Sequence, residues 1–146
     1  MIVPLSDVGK MISRHELAHV KWSPDKVPEV RYHQDIIQCI EDARINMGLQ
    51  SVGLPMEFST GVSKLIAGLF DEDAARLQHD LCIIRAIASI GTSAEMRLRR
   101  KTRELPYPWG YKGDTWINHI EKTLIKSARL KKEPVGPFSV VRKLGL

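Results

Sequence analysis

Helical periodicity, punctuated by proline and glycine, constrains this chain more than any other feature. Apolar residues recur three and four positions apart through most of the sequence, and the strict alternation of a half-buried strand is absent. The clearest case is DEDAARLQHDLCIIRAIASIG, residues 71–91, acidic at its start and closed by Gly91.

The same reading places a first helix over Asp7–Trp22, with Ser6 or Asp7 as its cap. It stops at SPDKVP, residues 23–28, because each proline biases its predecessor away from the helical region. A second helix occupies part of 29–50 and ends near Gly53 and Pro55. STGVSKLIAGLF, residues 59–70, reads as a short helix with Ser59 or Thr60 near its start. TSAEMRLRRKTREL, residues 92–105, opens with Thr92 or Ser93 and a glutamate behind, close to a capping box. PYPWGYKGD, residues 106–114, reads as a non-helical aromatic loop, with Trp109 and later Trp116 as core anchors. A sixth helix follows over 114–132, capped by Asp114. Residues 133–146 form an irregular tail with one short strand at FSVV. The expectation is an all-α single domain over 1–146, about six helices packed around the first helix and an antiparallel second.

Composition agrees with a soluble globular chain. At 146 residues, 43% hydrophobic and 27% charged, it can bury a core without disulfides or other staples. The longest apolar run, LCIIRAIASIG, is too short to span a bilayer and carries Arg85. The N-terminus lacks the charged and apolar regions of a secretory leader. Cys39 and Cys82 have no paired spacing and read as reduced, buried thiols, so the expected setting is cytoplasmic and no membrane is involved.

SRHELAHVKW, residues 13–22, carries the chemistry. Residues four apart share one helix face, so His15 and His19 can take adjacent corners of a zinc tetrahedron. Glu16, rotated by about 100°, lies beside the ion, where it can take a proton from water in metal-assisted hydrolysis. Val8, Met11, Ile12, His15, Ala18, His19 and Trp22 form one stripe, which puts both histidines on the apolar face. The ordinary alternative is a pair of satisfied core histidines.

A third ligand is needed, and IIQCIEDARIN, residues 36–46, offers one. Ile37, Glu41 and Ile45 share a stripe, which sets a carboxylate between apolar neighbours. A buried carboxylate needs a cation, either zinc or Arg44 at i+3. If the second helix starts near Pro28, His33 lies opposite the histidine pair; if it starts near His33 or Gln34, Glu41 comes level with it.

RHELAHVKWS followed by IEDARIN resembles the gluzincin-type metallopeptidase region of cobaltochelatase-subunit-like proteins that carry a von Willebrand factor A domain. The resemblance covers residues 14–47. It implies zinc held by His15, His19 and Glu41, Glu16 as general base, Asp42 or Arg44 supporting the ligands, and a partner ATPase of the AAA+ chelatase type. It favours Glu41 over His33. Position 45 departs from the pattern, being isoleucine where other gluzincins often have an acid.

The expected activity is peptide-bond hydrolysis of a peptide or protein substrate. Tyr107, Tyr111, His79 and His119 are candidates for steadying an oxyanion, the two loop tyrosines ahead of the histidines. Two rivals stand beside this reading. The first is an assembly module that keeps zinc without turnover, because fourteen residues before His15 leave no room for the substrate-binding edge strand of many gluzincins. The second is a basic nucleic-acid-binding module. The net charge is +5, and RLRRKTR, residues 97–103, is followed by YPWGYKG, which pairs phosphate-binding cations with stacking aromatics. A solvated helix face is the plainer reading of that run.

Overall fold

A computed structural model describes residues 7–23 and 34–127. Six helices account for these residues: α1 (Asp7–Trp22), α2 (Gln34–Ser51), α3 (Thr60–Ala75), α4 (His79–Ala88), α5 (Glu95–Arg103) and α6 (Trp109–Ser127). Among the described residues there is no strand, only one isolated parallel bridge between Met56 and Thr92. The fold is all-α, as the periodicity requires. His33, the SPDKVP break beyond Ser23, and the tail with FSVV lie outside the described residues.

α4 is the hub, packing against α2, α3, α5 and α6. Its buried Cys82, Ile83, Ala86 and Ile87 lie one and four apart, so they form one broad apolar stripe. They meet Ile37, Ile40 and Ala43 of α2, Phe70 of α3, Leu98 of α5, and Ile117, Ile120 and Leu124 of α6. Burial pushes the Cys82 thiol up to about 11, which suits an inert core residue rather than a nucleophile. α1 stands apart from this core. Among the described helices it packs on α2 alone, through Ala18, Ile45, Leu49 and the partly buried Trp22. Ser23 bonds Glu41, whereas Ile12 shares a cavity wall with Asn46, the order expected of helices running in opposite directions.

Two boundaries differ from the sequence reading. The single helix expected over 71–91 is two helices, broken at Arg76–Gln78. Leu77 takes a left-handed φ of 59°, its N–H bonds Ala74 O at 3.1 Å, and Gln78 N–H bonds Asp73 O at 2.9 Å. That is a Schellman termination, usually built on glycine; with leucine in the special position the sequence carries no stop signal.

The aromatic loop is the second difference, for α6 begins inside it at Trp109. Trp109 N–H bonds Pro106 O at 2.8 Å and Lys112 N–H bonds Pro108 O at 2.9 Å. Proline is tolerated in a first helical turn, where its missing N–H has no partner to lose. Gly113 permits close packing rather than breaking the helix: a Cβ there would sit 2.6 Å from Thr102 Cγ2 and 3.0 Å from Ile83 Cγ1. Trp109 and Trp116 do pack against the main core, with the Lys112 ammonium over both rings.

The α4–α5 turn is drawn onto α2. Gly91, at φ 85°, approaches so closely that a Cβ would lie 2.8 Å from Met47 N. Asn46 Nδ2 donates to Ala88 O at 3.0 Å and to Ile90 O at 3.2 Å. Ser93 N–H bonds Met56 O at 2.9 Å, and Phe58 N–H bonds Ser93 Oγ at 2.8 Å. These bonds hold the 56–58 segment and the turn together as one wall facing α1.

Candidate metal centre

Three ligand-type atoms converge between α1 and α2. His15 Nε2 and His19 Nε2 are 2.9 Å apart, and Asp42 Oδ1 lies 3.1 Å from the first and 2.7 Å from the second. Helical spacing aligns the two imidazoles, and their rings meet edge to face at 4.5 Å between centroids. Of the clusters that histidine, cysteine, aspartate and glutamate form among the described residues, this one gathers three donors within 4.8 Å.

The donor set fits zinc. Two imidazole nitrogens and one carboxylate oxygen are the ligands a borderline-soft dication takes, at about 2.0–2.2 Å. Tetrahedral donors at that distance stand about 3.3 Å apart, so the triangle need open by only a few tenths of an ångström. His15 Nδ1 is moreover buried with no hydrogen-bond partner among the described residues.

The electrostatics follow from the same contacts. Burial pulls the His19 imidazole down, but the hydrogen bond and charge of Asp42, helped by Glu41 and Glu16, outweigh it and leave its pKa above the ordinary histidine value. Burial pushes the Asp42 carboxyl up, and the hydrogen bonds and charges of His15 and His19 more than offset this, holding it below the ordinary aspartate value.

Glu41 is not where the resemblance implies. The side chain brought to the histidines is Asp42, the next residue. Consecutive positions on a helix point about 100° apart, so only one of the two carboxylates can face the pair. Glu41 turns instead to Arg44, whose Nε donates to Glu41 Oε1 at 3.1 Å and Oε2 at 3.0 Å. The guanidinium is 1% exposed and needs a carboxylate against it. The resemblance offered Asp42 as ligand support; in the structure it is the Asp42 carboxylate that lies against the histidines.

Glu41 still reaches the site through Ser23, which the sequence reading missed. Ser23 Oγ donates to Glu41 Oε1 at 2.9 Å and lies 2.7 Å from His19 Nδ1. With the His19 proton on Nδ1, Ser23 Oγ accepts it, and the Nε2 lone pair is left facing Asp42 and His15. Arg44 completes the chain by donating to Trp22 O at 2.8 Å. Such relays fix the tautomer and orientation of a ligating imidazole. The signal for Ser23 was its position four residues beyond His19.

Glu16 is exposed and shares with His15 and Asp42 a cavity of ≈ 220 Å³, the position a general base would need. Tyr107 and Tyr111 are 86% and 73% exposed, lie at the opening of α6, and do not line that cavity, so the structure does not bring them to the histidines. His79 stacks near Trp109 at 5.8 Å, and His119 lies on α6, both on elements that do not touch α1. The basic run on α5 is largely neutralised within the chain: Arg99 pairs with Glu121, Lys101 with Asp71 and Arg103 with Asp114. No helix among the described residues is long and apolar enough to cross a membrane. Compared with protein-family models, with curated proteins and with solved structures, the chain finds no match.

Proposed function

We propose that this protein is a zinc-dependent hydrolase that cleaves peptide bonds, with His15, His19 and Asp42 holding the metal and Glu16 acting as general base. The observation that carries the reading is the convergence of His15 Nε2, His19 Nε2 and Asp42 Oδ1 beside an exposed glutamate one residue from the first histidine. Bound zinc would supply Lewis acidity and water of lowered pKa. The chain's own groups do the rest. Glu16, reaching the cavity shared with His15 and Asp42, takes a proton from water onto its carboxylate and hands it to the leaving amine. Ser23, Glu41 and Arg44 hold the His19 ring in place.

A second reading is favoured by the packing of α1 on α2 alone among the described helices: the metal would tie α1 to the core and support an assembly, without turnover. Elemental analysis and cleavage of an unfolded protein separate the two. The hydrolase reading expects one zinc per chain in both the parent and Glu16→Gln, with cleavage falling by about 10²–10⁴-fold in the variant. Equal cleavage by both proteins excludes Glu16 as base. Zinc without cleavage in either selects the assembly reading.

A further inference from the structure

The cavity beside the histidines has a composition that names what it can hold. It opens between α1, α2, the 56–58 segment and the α4–α5 turn, with a volume of ≈ 220 Å³. His15, Glu16 and Asp42 form one side; Met56, Phe58 and Ala88 form the far wall. Among the described residues no lysine or arginine lines it, and the carboxylates on its lining are Glu16 and Asp42, both at the metal end. A second cavity of ≈ 200 Å³ shares Phe58, Ala88 and Thr92 with the first and continues the cleft away from the histidines towards Ile66, Leu69 and Arg85.

We infer that the first cavity is a selectivity pocket for a large apolar side chain, phenylalanine or leucine, on the substrate residue next to the bond cleaved. The inference rests on the zinc-hydrolase reading and adds the substrate class. Size decides between side chains: an apolar cavity of about 150 Å³ is enough for benzene, so a benzyl or isobutyl group fits here, while a methyl group leaves most of the space to water. Chemistry decides against charge. An acidic side chain would meet Glu16 and Asp42 with no cation on the wall, and a basic one would be desolvated against Met56 and Phe58. The wall is also fixed in place: Met56 is buried, Asn46 Nδ2 holds Ala88 O, and Ser93 holds the backbone of Met56 and Phe58. A pocket with such a wall selects by shape without rearrangement.

Hydroxamates test this without relying on turnover, because the hydroxamate anchors on zinc while its substituent probes the pocket. Binding of acetohydroxamate, 3-phenylpropionohydroxamate and the monohydroxamate of succinic acid to the zinc-loaded full chain is measured by calorimetry. The phenyl compound is expected to bind at least about tenfold more tightly than acetohydroxamate, the scale of discrimination in apolar pockets; the succinate compound gains nothing. Ala88→Leu should erase the phenyl preference and leave acetohydroxamate affinity within about twofold, and Phe58→Ala, which removes wall from the other side, should weaken the phenyl compound alone. If acetohydroxamate binds but the phenyl compound is no tighter, or if neither variant changes the preference, the pocket assignment is wrong and the zinc reading stands. If the chain takes up no zinc and binds no hydroxamate, the zinc reading fails and this inference with it.

Discussion

The α1–α2 seam and the core around α4 are built on opposite principles. Around α4, Ile83, Ile87, Ile117, Ile120 and Leu124 meet side chain to side chain, each no more than 3% exposed, and nothing polar is required for them to pack. At the seam the apolar contact is small, Ala18, Ile45 and Leu49 with Trp22, and a polar network carries the rest: His15 and His19 on Asp42, Ser23 on Glu41, Arg44 on Glu41 and Trp22 O. Buried polar groups stabilise only when every member is satisfied. A core of the first kind makes a fold; a seam of the second kind gathers the polar groups that a site needs.

The largest break comes from removing a histidine. His19→Ala should take zinc from one per chain to none by elemental analysis. It should also abolish the zinc-dependent rise in melting temperature, worth about 4 kcal/mol when zinc is present at about 1,000 times its dissociation constant. In the metal-free parent, as in the variant, amide exchange should show α1 opening well before α4. Protection in α1 equal to that in α4 in the metal-free parent would mean the seam does not depend on the ion.

Glu41→Gln comes next. It leaves the 1%-exposed Arg44 guanidinium without its carboxylate, and removing one member of a buried ion pair costs about 3–5 kcal/mol. Because Asp42 and not Glu41 faces the histidines, the folded variant should still bind stoichiometric zinc, more weakly. Asp42→Asn should show the reverse for the metal, with zinc binding lost while the Glu41–Arg44 pair stays intact. If Glu41→Gln loses the metal outright and Asp42→Asn keeps it, the two carboxylates have been assigned the wrong way round.

Ile87→Ala marks the core side of the comparison. The side chain is 0% exposed, so truncation should cost about 2–4 kcal/mol by denaturant unfolding while zinc affinity changes less than about twofold. A variant that lost zinc in proportion to stability would show core and seam to be a single cooperative unit.

How much of this was legible in the sequence follows the same division. Apolar spacing is a local, repeated signal, so the core stripes and the bounds of α1 could be read directly. The α3–α4 break could not, because Leu77 adopts a glycine-like φ of 59° while looking like a helix former. The start of α6 was hidden for the converse reason: Gly113 reads as a breaker, yet its lack of a Cβ serves contact with Thr102 and Ile83. At the site, one helix with one phase was enough to put His15 and His19 on a shared face with Glu16 beside them. Choosing between Glu41 and Asp42 required the rotation of α2 about its own axis, which sequence spacing does not encode. Arg44 was the available hint, a buried cation three residues from Glu41 with a prior claim on its carboxylate.

The smallest expected effect is the most specific test of the seam. Ser23→Ala removes one hydroxyl at the end of α1, half-buried and outside the main core. It deletes the link by which Glu41 orients His19, since Ser23 Oγ both faces His19 Nδ1 at 2.7 Å and donates to Glu41 Oε1 at 2.9 Å. The ligand atoms themselves are untouched. Loss of such a supporting partner typically weakens metal binding by about 10–100-fold. The metal-free protein should lose about 1–3 kcal/mol, the usual worth of the two hydrogen bonds that the hydroxyl makes. Competition with a zinc chelator measures the first quantity and urea unfolding of the metal-free protein the second. Ser23→Thr keeps the hydroxyl and should recover most of the affinity, which separates orientation of the imidazole from simple loss of packing. If Ser23→Ala binds zinc as tightly as the parent, Glu41 and Arg44 serve only to join α1 to α2, and the ligand geometry is set by the helices alone.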